Sequence, residues 1–304
     1  SPPNRSPPCS ITSKTTEPLG PFLLKVAETG RKMFETDEPK MTSFHIPTMA
    51  EMTANGNTPE VLFWVGCAGS FDDRAKRITK AIAKILNAAG TSFAVLGQEE
   101  SCSGDPAKRA GNEFLYQMQA AQNIAILNGY GINRIITGCP HCFNVLKNEY
   151  PELGGNYEVQ HHTQFIRELI EQGKLRMADG GVFKGKKITF HDPCYLGRGN
   201  GEYLAPREVI ASLDAELIEM RRCKQNGLCC GAGGAQMFKE AEKGTAEVNH
   251  TRTEDVVESK AEIVATGCPF CNTMMTDGVK HANKEGEIIV KDVAELIAEA
   301  ADLL

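Results

Sequence analysis

The cysteines of this 304-residue chain recur at a nearly constant distance along the sequence. We define a first cysteine group, Cys67, Cys102, Cys139 and Cys142, and a second cysteine group, Cys194, Cys229, Cys230, Cys268 and Cys271. Four members of the second group follow their counterparts by 127 or 129 residues, and the flanking Gly-Cys-Pro triplets at 138–140 and 267–269 match as well. This pattern predicts a duplicated domain with a metal site in each copy.

The apolar pattern after residue 58 predicts an α/β fold. Strands are predicted at 60–65, 92–96, 134–137, 157–160, 187–190, 216–220, 262–266 and 288–290. Helical patterns separate them, including 72–89 and one long helix over 105–128. Strands that alternate with helices indicate parallel sheets with helices on both faces. We therefore expect two pseudo-symmetric domains that face each other across a cleft, each with a parallel sheet flanked by helices.

The domain boundaries follow from composition. A glycine-rich stretch at 177–186 indicates a linker, so we expect a first cysteine-rich domain at 59–183 and a second at 184–304. Residues 1–40 hold seven of the fifteen prolines, and residues 1–58 are predicted to be an N-terminal extension that is partly disordered.

The cysteines are predicted to meet at one edge of each sheet. Cys67, Cys139, Cys194 and Cys268 follow predicted strands, and open parallel sheets bind ligands beyond the carboxyl ends of their strands. Thiolates packed together repel each other unless a cation holds them, and iron-sulfur clusters and zinc both favour four thiolates. Five thiols exceed the need of one zinc ion, and the adjacent pair Cys229-Cys230 suits a larger cluster with bridging thiolates.

The first cysteine group has Ser103 where the second has Cys230, so it offers four thiols. Its spacing leaves three occupants open: a cubane cluster, a structural zinc ion, or a weaker version of the second site.

Composition excludes several other classes of protein. The net charge of -6 argues against a general nucleic-acid binder. No stretch of about 20 apolar residues is present, so we expect no membrane span. Eleven cysteines in a chain of this size, without a secretory signal, favour metal or redox chemistry in a reducing compartment, and we expect a cytoplasmic location.

The spacing of the second cysteine group resembles that of the cysteine-rich CCG domain. Thirty-four residues separate Cys194 from Cys229, and thirty-six separate Gly231 from Cys268. That domain occurs in heterodisulfide reductase catalytic subunits and in iron-sulfur subunits of glycolate, lactate and glycerol-3-phosphate oxidation systems. The resemblance covers residues 58–304 and implies that the second cysteine group binds a non-cubane [4Fe-4S] cluster. Cys102-Ser103-Gly104 departs from the motif, so the resemblance does not extend to a second non-cubane cluster, and the four thiols of the first group are expected to hold a second [4Fe-4S] cluster or zinc.

The resemblance implies an iron-sulfur electron-transfer subunit of a heterodisulfide-reductase-like oxidoreductase complex. The sequence contains no C-x-x-C-x-x-C-x-x-x-C-P motif, so electrons would pass to or from a ferredoxin-like or flavoprotein partner subunit. Two alternatives remain: a zinc-stabilised structural or regulatory subunit, and a cluster-free dithiol oxidoreductase that uses the two C-x-x-C pairs.

Two histidines are candidates for groups beside the ligands. His141 lies between Cys139 and Cys142, where it either shapes the turn or tunes the first site. His191 precedes Cys194 and either is structural or donates a proton to a sulfur or a substrate thiolate. Cys9 and Cys223 lie outside the repeat; Cys9 is predicted to be inert, and Cys223 either fills a buried structural role or approaches the second cysteine group.

Overall fold

A computed structural model describes residues 45–178, 181–240 and 244–304. Two four-stranded sheets are present, and every pairing in them is parallel. The strands are β1 Val61–Trp64, β2 Phe93–Ala94, β3 Arg134–Thr137, β4 Glu158–His161, β5 Lys187–Phe190, β6 Glu216–Leu217, β7 Ile263–Thr266 and β8 Ile289–Asp292. The strand order β2-β1-β3-β4 recurs as β6-β5-β7-β8, which confirms two pseudo-symmetric α/β domains.

Helices connect the strands and cover the sheets. They are α1 Met49–Ala54, α2 Gly66–Phe71, α3 Asp73–Ala88, α4 Asp105–Arg109, α5 Glu113–Gly129, α6 Pro140–Asn144, α7 His162–Glu171, α8 Gly197–Asn200, α9 Leu204–Ala211, α10 Val248–Ser259, α11 Pro269–His281 and α12 Val293–Ala300. A π-helical turn, Val145–Glu149, continues α6, and short 3-10 turns lie at Gly97–Glu99, Tyr150–Leu153, Lys224–Asn226 and Gln236–Phe238. Among the described residues, no helix has both the length and the apolar composition needed to cross a bilayer.

The local sequence explains the best-defined elements. The side chain of Asp72 accepts a hydrogen bond from the backbone N–H of Ala75 at 2.7 Å, so it caps α3. Ile78, Ile82 and Ile85 then lie on one buried face of that helix. All four residues of β1 are buried, as expected for a parallel strand that is covered on both sides.

The prediction of one long helix over 105–128 is wrong. Two helices occupy this stretch, because the chain turns at Gly111, which has a φ of 85°. Asn112 then begins α5 by accepting a hydrogen bond from Leu115 N at 3.1 Å.

Other predicted elements differ in length or were missed. The strands predicted at 92–96 and 216–220 are paired over two residues each. Helices α1, α2 and α11 were not predicted. Thr48 caps α1 and bridges to Val95, so residues 45–54 extend the edge of the first sheet. The predicted disorder over 1–40 and the position of Cys9 fall outside the described residues.

The two domains share a hydrophobic core. Helices α3 and α12 pack together, and so do α7 and α9, so that Ile85 and Leu296 belong to one cluster. Arg74 on α3 donates two hydrogen bonds of 2.6 Å to the carboxylate of Glu295 on α12. These helices fix the two domains against each other and thereby fix the distance between the cysteine groups.

Replacing Arg74 with alanine should lower the free energy of unfolding by about 1–3 kcal/mol, because Glu295 would remain largely buried without its partner. The matched control is Lys76→Ala on the same helix, since Lys76 pairs with Asp73, whose side chain is 95% exposed. This control should change stability by less than about 0.5 kcal/mol. Urea unfolding monitored by circular dichroism measures both variants, and equal losses would contradict the prediction.

Candidate metal centre

Both cysteine groups lie at the carboxyl ends of the central strands. Cys67 lies in the first turn of α2, which follows β1, and Cys139 precedes α6, which follows β3. Cys194 and Cys268 occupy the corresponding positions after β5 and β7. Because β1 pairs with β3 and β5 pairs with β7, these cysteines meet at neighbouring strand ends. The remaining members of each group come from a loop or from the next helical turn.

The first cysteine group is a compact set of thiols. Cys67 and Cys102 lie close enough to shift each other's pKa, and so do Cys139 and Cys142. The Ser103 hydroxyl donates to the sulfur of Cys142 at 3.6 Å. Gly66 has a φ of 78°, and a Cβ there would lie 3.2 Å from Cys142 Sγ. Glycine is therefore required at the turn that brings Cys67 to the group.

The second cysteine group has the same arrangement with one more thiol. Cys230 Sγ lies 3.3 Å from Cys271 Sγ. Cys194 and Cys229 lie close enough to shift each other's pKa, and the sulfur of Cys229 accepts from the backbone N–H of Gly231 at 3.3 Å. Cys268 is fully buried, whereas Cys194 and Cys229 are partly exposed. One side of the second group therefore faces solvent.

The two groups adjoin across the domain interface. The thiols of Cys139 and Cys268 lie close enough to shift each other's pKa, so the two cysteine groups adjoin at this point. His141 beside the first group packs against Tyr195 and Phe270 of the second domain, at centroid distances of 4.4 and 5.3 Å. The sequence predicted one group in each domain, and the packing of the domains brings the groups into contact.

The thiols divide into those that ionise easily and those that do not. The hydrogen bond to Cys229 and burial hold the pKa of Cys194 well above its usual value, while the bond from Cys194 lowers the pKa of Cys229. Burial raises the pKa of Cys268, but hydrogen bonds from Cys139 and Cys271 outweigh it and lower that pKa to about 5. The described cysteines are all free. Close thiols that share protons in this way ionise together only when a cation compensates their charge.

Two carboxylates, the partly buried Glu100 and the buried Asp192, hold the cysteine-bearing loops, and the sequence analysis did not identify either. Glu100 accepts from the backbone N–H groups of Val65 and Gly66 at 3.1 and 2.5 Å, and burial raises the pKa of its carboxyl to about 7. Asp192 accepts two hydrogen bonds from Arg207 and one from the backbone of Lys224. Neither residue belongs to a repeated motif, so no spacing pattern distinguishes them.

The two histidines singled out in the sequence are both buried beside the sulfurs. His141 Nδ1 lies 2.9 Å from Asp105 Oδ2. A ring nitrogen of His191 lies within 4.8 Å of the sulfurs of Cys230 and Cys271. Burial and the nearby Arg252 lower the pKa of His191 to about 3, so its imidazole is neutral. Cys223 has no hydrogen bond to another cysteine among those described and stands apart from the group.

An apolar cavity of 180 Å³ borders the first cysteine group. Cys67 and Cys102 line one side of it, while Met237, Phe238 and Phe270 of the second domain line the other. The cavity belongs to the region where the two groups adjoin.

Comparisons with known proteins agree with the duplicated architecture. A family model described as "Cysteine-rich domain" (CCG) matches residues 61–147 and 188–276. The chain is 45% identical over 254 residues to the "EtfAB:quinone oxidoreductase" of Syntrophomonas wolfei. The aligned residues make up 82% of this chain and 35% of that protein. It is 43% identical over 271 residues to the "Probable iron-sulfur-binding oxidoreductase FadF" of Bacillus subtilis, covering 89% and 38% of the two chains.

An archaeal relative is more distant but spans more of its own chain. This relative is one subunit of the "Dihydromethanophenazine:CoB--CoM heterodisulfide reductase" of Methanosarcina barkeri. It is 34% identical over 251 residues, which is 80% of this chain and 59% of that protein. The chain therefore spans little more than a third of the first two relatives and less than two thirds of the third.

Proposed function

The chain belongs to the cysteine-rich CCG domain family, and on that premise we propose that it is an iron-sulfur electron-transfer subunit of an oxidoreductase complex. The observation that carries this proposal is the pair of adjoining groups of free cysteines at the domain interface. A cluster bound there accepts and donates electrons at a potential that its surroundings set.

The second cysteine group is the proposed ligand set of a non-cubane [4Fe-4S] cluster. Five thiols from two loops and one helix exceed the needs of a zinc ion, which takes four ligands. Cys230 and Cys271 approach to 3.3 Å with no disulfide, and soft thiolates select iron-sulfur clusters, zinc or cuprous ions. The residues present therefore suit the cluster chemically.

The first cysteine group is the proposed ligand set of a second [4Fe-4S] cluster or of zinc. It offers four thiols, and Ser103 donates to one of them instead of providing a fifth. Its contact with the second group through Cys139 and Cys268 favours a second redox centre, because close centres exchange electrons readily.

The protein surroundings restrict water and supply hydrogen bonds. Cys139, Cys142, Cys230, Cys268 and Cys271 are at most 4% exposed. A dry environment and hydrogen bonds to sulfur both change the reduction potential of a cluster. The partly exposed Cys194 and Cys229 mark the side from which a partner would exchange electrons with the second group.

We propose a ferredoxin-like or flavoprotein subunit as the redox partner and a reducing, cytoplasmic setting, since free thiols persist there. Support for a partner comes from relatives whose names describe an EtfAB:quinone oxidoreductase and a component of a heterodisulfide reductase.

The test is the metal content of the chain purified and reconstituted without oxygen. We expect about four or eight irons per chain, with an equal amount of acid-labile sulfide, because [4Fe-4S] clusters contain both in equal number. Four irons with one zinc would assign zinc to the first cysteine group. Zinc alone would contradict the proposal and would favour a structural or regulatory subunit. A chain that contains no iron and no zinc would favour a dithiol oxidoreductase.

A further inference from the structure

A fully buried arginine contacts the histidine beside the second cysteine group. Arg252 on α10 has no exposed surface, and its Nε–H donates to Nδ1 of His191 at 3.0 Å. An arginine side chain carries only donors and keeps its proton in proteins. Nδ1 of His191 must therefore accept, and in a neutral imidazole the single ring proton then lies on Nε2.

Arg252 is itself held so that it cannot turn away. Its Nη1 donates to the carboxylate of Asp255 at 2.9 Å and to the backbone carbonyl of Arg222 at 2.6 Å. Asp255 is fully buried and also accepts two hydrogen bonds from the Arg222 side chain. This network fixes the direction of the Arg252 Nε–H and, through it, the tautomer of His191.

The second ring nitrogen of His191, Nε2, remains available for a hydrogen bond. Nε2 is buried and has no hydrogen-bond partner within the part of the chain that the structure describes. A ring nitrogen of this histidine lies within 4.8 Å of both Cys230 Sγ and Cys271 Sγ, and Nδ1 is already occupied by Arg252. Buried donors in proteins are nearly always satisfied, so the acceptor belongs to the sulfur group.

The repeat supplies an independent observation. Trp64 precedes His191 by 127 residues, which is the offset between Cys67 and Cys194. Trp64 lies three residues before Cys67, just as His191 lies three residues before Cys194. Its indole nitrogen is also buried and lacks a partner among the described residues. An indole N–H can donate a hydrogen bond but does not ligate a metal. What the two positions share is therefore an N–H donor, not a metal ligand.

We propose that Arg252 is a positioning residue that holds His191 in the Nε2–H tautomer, so that His191 donates a hydrogen bond to the sulfurs of the second cysteine group and does not bind the metal. This inference rests on the proposed iron-sulfur function. A hydrogen bond to sulfur stabilises the negative charge gained on reduction, so His191 raises the reduction potential of the cluster.

Two pairs of variants separate donation from packing. His191→Gln keeps an N–H donor near the position of Nε2, whereas His191→Leu keeps the approximate size without a donor. Arg252→Lys keeps the positive charge and a donor, whereas Arg252→Met removes both. All four are made in the full chain, and circular dichroism and iron content establish which of them fold and load.

The first measurement reads the tautomer of His191 directly. In full chain labelled with ¹⁵N-histidine and kept reduced without metal, NMR should show the ring proton of His191 on Nε2, and Arg252→Met should make the two tautomers exchange. A proton on Nδ1 in the unsubstituted chain would overturn the proposal. This measurement needs no iron, so it distinguishes failure of the inference from failure of the iron-sulfur function.

The second measurement uses the iron-loaded, reduced chain. Electron-nuclear double resonance should show an exchangeable proton that His191→Leu removes, together with only weak coupling to a histidine ¹⁵N. The ratio of reduced to oxidised cluster at a fixed potential should fall about tenfold in His191→Leu, equivalent to a 59 mV lower potential for one electron. His191→Gln and Arg252→Lys should recover part of this loss. Strong ¹⁵N coupling, or an unchanged potential in His191→Leu, would overturn the proposal.

Discussion

The double substitution Cys229→Ser/Cys230→Ser should remove about four irons and an equal amount of sulfide per chain, the content of one [4Fe-4S] cluster. These two residues provide two of the five thiols of the second group, and Cys230 packs against Cys271 at 3.3 Å. Serine preserves the shape of the side chain but lacks the soft, easily ionised sulfur that iron requires. We therefore expect loss of the cluster without loss of the fold.

The matched control is Cys223→Ser. Cys223 lies in the same loop, six residues before Cys229, but contributes no hydrogen bond to the described cysteines. Its substitution should leave iron, sulfide and the absorption spectrum unchanged. Iron, sulfide and zinc are measured on all three proteins after anaerobic reconstitution, with circular dichroism to check folding. Unchanged iron in the double variant, or an equal loss in Cys223→Ser, would show that the second group does not hold the cluster.

The sequence predicts the architecture well because duplication makes each half a check on the other. Strands β3 and β5 lie at the predicted residues, since both contain β-branched residues and end before a cysteine-bearing loop. Helix α11 was missed because Thr273, Thr276 and Gly278 are poor helix formers. Its start is fixed instead by Pro269 and by the packing of Cys271 and Met275 in the interior.

The contacts around the cysteines follow from tertiary packing and were beyond the reach of sequence spacing. Arg252 lies on α10, a helix without a strong apolar stripe, and reaches a histidine 61 residues earlier. The proximity of Cys139 to Cys268 depends on how α3 and α12 pack between the two domains. A pattern of spacings identifies members of each group, but it contains no information on how two rigid domains dock.

Converting the first group to the five-cysteine pattern provides a complementary test by gain of a ligand. Ser103 Oγ lies 3.6 Å from Cys142 Sγ, and the repeat-equivalent Cys230 Sγ lies 3.3 Å from Cys271 Sγ. The following glycines, Gly104 and Gly231, have φ values of 93° and 95°, so the backbone takes the same turn in both copies. A cysteine at position 103 would therefore have the same backbone turn as Cys230 and would place its sulfur close to that of Cys142.

The double variant Cys229→Ser/Cys230→Ser should abolish the spectroscopic signal of the cluster in the second group. Ser103→Cys should increase the same signal about twofold per chain, because both groups would then offer the donor set of a non-cubane cluster. Ser103 is only 2% exposed, so the new thiol would be directed into the group and not into solvent. The control is Ser92→Cys, which adds an exposed thiol directly before β2, at the amino end of a strand and not at the carboxyl ends where the cysteines lie, and should leave the signal unchanged. Low-temperature electron paramagnetic resonance of the reduced proteins measures the signal against total iron. An unchanged signal in a folded Ser103→Cys protein would mean that the fifth thiol does not determine which cluster binds to a cysteine group. The residues around the first group would then select its cofactor.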